Sequence, residues 1–163
     1  MVFLCQMWEN WNDSVILQLP VGGFVPHLFG VNMKFVASIE AKINDPVMQF
    51  TMCLLHSVTN AHILHLTTRS YSEHKALEGF YTEIGDLVDS FVEAFQGKYG
   101  LLHDFTTDYK LPDQPVAYLE YLKTEVETLR RQQRFPQDSE LQNIVDEIAD
   151  LINSTLYKLR FLK

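Results

Sequence analysis

Basic charge, cysteine and long apolar runs are all scarce in this chain, and each scarcity removes a class of function. Lys and Arg number 13 against 21 Asp and Glu, giving a formal net charge of −8. With no basic stripe or tail to release counterions from phosphates, DNA or RNA is a disfavoured partner. Only two cysteines occur, Cys5 and Cys53, without CxxC spacing, so nothing points to a disulfide scaffold, a thiolate cluster or an oxidising compartment. No segment offers the roughly eighteen uninterrupted apolar residues of a membrane span. Residues 1–33 contain no Lys or Arg, hence no basic n-region of a secretory signal, and the expected location is the cytoplasm. Glycine-rich phosphate loops, internal repeats and low-complexity tracts are also missing.

A chain of 163 residues with 47% apolar and 21% charged residues fits one globular domain. Residues 1–43 read as an arm of irregular structure: Trp8, Trp11, Gly22, Gly23, Pro26 and Gly30 suggest loops around a short strand at Val15 to Leu19. The bundle is expected to fold without residues 1–32, because helix caps and apolar seams begin later. From residue 44 the pattern becomes helical. Asp45 can cap, Pro46 suits a first turn, and Val47, Phe50, Leu54, Val58 and Ala61 recur at helical spacing, which predicts helix A over 45–67. Ser70 and Glu73 make an S-x-x-E capping box for helix B, whose seam of Leu77, Tyr81, Ile84, Val88, Phe91 and Phe95 runs until Gly97 and Gly100. Residues 101–114 read as a longer crossing connection. Helix C follows over 114–134 with the seam Leu119, Leu122, Val126 and Leu129, closed by Phe135-Pro136. Ser139 and Gln142 suggest a second capping box, and helix D carries Leu141, Ile144, Val145, Ile148, Leu151, Ile152 and Leu159 inward to the C-terminus. Two short hairpins and one long middle crossover make an all-α, ferritin-like four-helix bundle the expected fold.

Chemistry-bearing residues concentrate on helices A and B. Four of the six histidines are His56, His62, His65 and His74, and helix B adds Glu78, Asp89 and Glu93. His74 and Glu78 are four apart, as are Asp89 and Glu93, so each pair projects from one side of the helix. Taken singly, such a pair is more often a solvated helix face than a ligand set, and a lone histidine such as His62 or His65 is more often a hydrogen-bonded, partly buried side chain. The separation of the pairs is more informative. Glu78 and Asp89 differ by eleven positions, a rise of about 16 Å at nearly the same azimuth, and no proline kinks the helix between them. One straight helix therefore cannot bring both pairs to one metal, and a second chain running antiparallel across a twofold axis can. Gly85, near the midpoint, would admit its close approach. Two imidazoles and three carboxylates suit Fe(II), with Zn(II) and Mn(II) as competitors.

The series His62, His74, Glu78, Asp89, Glu93, written H-x11-H-x3-E-x10-D-x3-E, resembles the Dps (miniferritin) family. The stretch AHILHLTTRSYSEHKALEGFYTEIGDLVDSFVEAF is similar to that family's first helix end, turn and second helix, and DSELQNIVDEIADLINSTLYKLRFL to its last helix. The resemblance implies His62, His74 and Glu78 as iron ligands from one subunit and Asp89 and Glu93 as ligands from its mate. It also implies an inter-subunit di-iron ferroxidase site, iron storage under oxidative stress, and a twofold dimer as the unit of a dodecameric shell. The E-x-x-H pair of intrabundle di-iron ferritins is absent, which agrees with a site between subunits. Three departures stand out: Ile63 replaces the family's common Trp, Glu78 its usual Asp, and the basic DNA-binding tail is missing. The N-terminal arm could block the shell and leave a dimer, and a phage-encoded ferritin-like relative is a further expectation. The competing expectation is a noncatalytic ferritin-like bundle serving as a structural or accessory interaction protein, viral in origin, with the site empty or filled by Zn(II).

Overall fold

The structure, a computed structural model, describes residues 45–103, 105 and 110–162. The expected arm, its strand at Val15 to Leu19 and the independence of residues 1–32 lie outside the described residues. Within them the chain forms four helices and no strand: α1 Pro46–Thr67, α2 Tyr71–Tyr99, α3 Pro115–Leu129 and α4 Ser139–Phe161. The all-α four-helix bundle is thus observed.

The ends of α1 and α2 follow local chemistry. The Asp45 carboxylate accepts from Val47 N at 2.9 Å, and Pro46 occupies a first-turn position whose missing N–H costs no helical bond. Ser70 Oγ accepts from Glu73 N at 3.4 Å, but the return arm of the capping box is routed through Thr68. The Thr68 hydroxyl donates to the Glu73 carboxylate and accepts from Ser70 N at 3.2 Å, so one threonine ties the turn to the first turn of α2. Gly100 ends α2 with φ +97°, a conformation that costs a residue with a Cβ but not glycine.

Two boundaries differ from expectation for nonlocal reasons. α3 stops at Leu129, five residues short of 134, because the chain must turn Phe135 into the core. Gln132 N and Phe135 N donate to Leu129 O and Gln132 O in tight turns, and Gln137 Nε2 satisfies the Arg130 carbonyl at 3.0 Å. The capping box at Ser139 and Gln142 does not form. Asp138 is the cap residue of α4, and its carboxylate is taken by Lys98 Nζ at 2.7 Å and by the Tyr99 hydroxyl from the end of α2. Gln142 instead bridges Pro136 O and the Arg130 guanidinium.

Every pair of neighbouring helices is antiparallel. The α1–α2 turn sets His65 beside His74, and Lys98 at the end of α2 meets Asp138 and Glu140 at the start of α4. Asn60, late in α1, donates to Tyr118 Oη, early in α3, at 3.0 Å, and Arg160, late in α4, pairs with Glu120, early in α3. The order around the bundle is therefore α1, α2, α4, α3, each packed on its two neighbours. The end of α2 and the start of α3 therefore lie at opposite ends of the bundle.

The predicted seams line the core. Leu77, Ile84 and Phe91 of α2, Leu119 and Leu122 of α3, and Leu141, Val145 and Ile148 of α4 are buried, with Val58, Tyr81, Phe95 and Ile144 half-buried against them. At the end remote from the α1–α2 turn, Phe50, Phe91 and Phe135 form a triad. Phe50 lies 4.8 Å from Phe91 and meets Phe135 edge-on at 5.2 Å. Such geometry adds about 0.5–1.5 kcal/mol per pair beyond the burial itself. Among the described residues no helix is long and apolar enough to cross a membrane.

Candidate metal centre

The antiparallel α1–α2 hairpin gathers its imidazoles near the turn. His62, exposed on α1, stacks on Tyr81 of α2 with ring centroids 4.4 Å apart and planes 18° from parallel. One turn further, His65 is buried and stacks on His74 at 3.7 Å. The Tyr81 ring meets His65 nearly perpendicular at 5.2 Å, and His62 lies 5.9 Å from His65. Three histidines and one tyrosine thus form a continuous ring cluster. It contains the expected His62 and His74, together with His65, which helical spacing alone reads as an ordinary partly buried side chain.

Two reciprocal hydrogen bonds fix this cluster. His65 Nδ1 faces His74 O at 2.9 Å, and His74 Nδ1 faces His65 O at 3.1 Å. A carbonyl oxygen only accepts, so each ring carries its proton on Nδ1 and donates it. In the neutral rings the lone pair is then on Nε2, the state in which an imidazole can bind a metal.

Glu78 lies one turn beyond His74, half-buried, with its carboxylate bound to the Lys75 ammonium. That contact holds the Glu78 carboxyl below the ordinary carboxylate range, with smaller help from the charges of His65 and His74. Asp89 and Glu93 are exposed three turns along, on a stretch of α2 that also exposes Glu83 and Asp86. Among the described residues none of these four carboxylates has a cationic partner. Among the described residues, a methyl group built on Gly85 would meet only Val58 Cγ2, at 3.9 Å, so packing among them does not require glycine there. Among the described residues, no group of three or more His, Cys, Asp or Glu converges within one chain to hold a metal. Among the expected ligands, His62, His74 and Glu78 thus lie on the turn-side parts of α1 and α2 without converging on one point, and Asp89 and Glu93 stand about 16 Å beyond Glu78 along α2.

Burial and the nearby Glu125 push the Cys53 thiol up to about 12 and so disfavour its reactive thiolate form. α1 has one further property. Its 22 residues contain no Asp, Glu, Lys or Arg, yet Leu55 and Leu66 are exposed on it at 41% and 68%. Solvated helix faces ordinarily carry charge.

A family described as "Family of unknown function (DUF5856)" matches residues 65–159, more than half of the 163-residue chain. The chain belongs to that family. The DUF5856 match begins at His65 and takes in His74, Glu78, Asp89 and Glu93 but not His62. The chain is also similar to an uncharacterized 14.6 kDa protein in the mobD-ri intergenic region of Enterobacteria phage T4. The two are 24% identical over 129 residues, which are 78% of this chain and 98% of the phage protein. No solved structure matches the chain.

Proposed function

We propose that this DUF5856 protein binds and oxidises Fe(II) in the manner of the Dps family, at two equivalent sites that each need residues from two copies of the chain. The observation that carries the reading is the division of donor types along α2. Imidazoles and one carboxylate stand near the turn, and two carboxylates without a cationic partner among the described residues stand about 16 Å further along α2. An antiparallel second copy would set each half against the other. The charge-free outer face of α1, next to α2, exposes Leu55 and Leu66 among uncharged polar residues and offers such a copy a surface without the desolvation of fixed charge.

The donor set fits the substrate. Histidine nitrogen and carboxylate oxygen together suit Fe(II), and Zn(II) and Mn(II) compete for the same donors. The three carboxylates offset the charge that builds as Fe(II) becomes Fe(III). With hydrogen peroxide as the oxidant, two Fe(II) give up two electrons, the O–O bond breaks, two protons are taken up and two waters leave. The Fe(III) would pass on as a hydrated oxide mineral. A shell of twelve such chains would store it, whereas a dimer would only detoxify it. With a net charge of −8, DNA is not a partner in this reading, and the site of action is the cytoplasm.

The test is anaerobic Fe(II) titration of the full chain, followed by peroxide. The reading requires Fe(II) at each of two equivalent sites per dimer and oxidation faster than in buffer. No binding above background would refute it. One observation favours a noncatalytic bundle instead: the Glu78 carboxylate holds Lys75, a cation that iron would have to displace. Saturable Zn(II) binding without iron oxidation would decide for that alternative, a structural or accessory interaction protein.

A further inference from the structure

We propose that His65 is a positioning residue for His74, holding that imidazole in the tautomer and plane in which Nε2 can take a metal ion; the proposal rests on the iron-binding reading above. The argument starts from burial. His65 is 7% exposed, and a polar ring so placed costs stability unless its nitrogens are satisfied. Its Nδ1–H is spent on the His74 carbonyl, across the turn that joins α1 to α2. The return bond, from His74 Nδ1 to the His65 carbonyl, fixes the proton of His74 on Nδ1, since the reverse tautomer would set a lone pair against a carbonyl oxygen.

The side chain and the backbone of His65 contribute differently. Any residue at this position has a carbonyl, but the carbonyl meets His74 only if the two helix ends keep their distance and angle. The His65 ring supplies that geometry. It stacks on His74 at 3.7 Å and is braced from another side by the edge-on Tyr81 ring at 5.2 Å. A ligand whose plane and tautomer are set before the ion arrives loses less freedom on binding. Groups that orient metal ligands in this way are commonly worth 10- to 100-fold in affinity.

Three substitutions in the full chain separate the parts. His65→Phe keeps a stacking ring and loses the donor. His65→Asn keeps an N–H about where Nδ1 stands and loses the stack, and His65→Leu loses both. With Co(II) as a redox-inert probe, the expected result is about 10- to 100-fold weaker binding for His65→Leu, with the other two between it and the parent. Ile148→Val, a small core change on α4, controls for destabilisation alone and should leave Co(II) affinity unchanged. In the metal-free parent, nitrogen NMR should find His74 protonated on Nδ1 and bare on Nε2. His65→Leu should lose that preference.

Parent-like Co(II) affinity in His65→Leu, or a His74 proton on Nε2 in the parent, overturns the role of His65 while leaving the iron reading standing. A parent that binds neither Co(II) nor Fe(II) removes both. Should His65→Leu fail to fold, His65→Asn and the NMR of the parent still decide.

Discussion

Mixing two crippled variants gives the sharpest test of a site shared between chains. His62→Ala with His74→Ala removes the imidazoles near the turn, and Asp89→Ala with Glu93→Ala removes the carboxylates three turns along α2. His74 and Asp89 are fifteen positions apart on α2, a rise of about 22 Å, while a metal ion holds its oxygen and nitrogen ligands at about 2 Å. Neither homodimer then contains a complete site, and both should fail to oxidise iron. In a heterodimer, one site collects all its native ligands and the other loses both halves. Purified heterodimers should therefore recover about half the parent activity, and an unfractionated equal mixture, only half of it heterodimer, about a quarter. The assay is stopped-flow absorbance of Fe(III) after peroxide, on dimers separated by two different tags. Heterodimers that stay inactive while both variants fold and pair normally would refute the shared site.

Two further outcomes follow from the bundle itself. Phe135→Ala should cost about 3–5 kcal/mol in urea unfolding, because the ring is 2% exposed between Phe50 and Phe91; a loss below about 1 kcal/mol would mean that the core closes without it. Lys98 hydrogen-bonds Asp138 and Glu140 and holds both carboxyls below their ordinary range. A carboxyl whose folded pKa is depressed stabilises the fold above its unfolded pKa and loses that contribution as pH falls through the folded value. The parent should thus melt above Lys98→Met near neutral pH, with the gap closing on acidification, and an equal gap at both pH values would count against the pairing.

Much of the fold is legible in the sequence because its determinants are local. Asp45-Pro46, Ser70 with Glu73, and Gly100 mark helix ends through bonds made within a few residues, and the seams of α2, α3 and α4 follow the helical period. The exceptions share one cause. The end of α3 depends on Phe135 reaching Phe50 and Phe91, and the cap of α4 depends on Lys98 and Tyr99, some forty residues earlier. The candidate site divides in the same way. His62, His74, Glu78, Asp89 and Glu93 stand out by type and spacing, but the pairing of His65 with His74 exists only once the hairpin has closed. The charge-free composition of α1 was readable throughout, since no Asp, Glu, Lys or Arg occurs between Pro46 and Thr67.

The alternation of helix directions around the ring has an electrostatic consequence. Each end of the bundle presents two helix N-termini interleaved with two C-termini, so partial charges of about half an elementary unit sit beside their opposites. Neither end acts as a pole. The long-range field of the bundle is therefore written by its side chains, and among the described residues the exposed carboxylates Glu83, Asp86, Asp89 and Glu93 of α2 have no cationic partner. An approaching divalent cation would be steered to the flank of the bundle rather than along its axis, and that flank already holds one half of the proposed site.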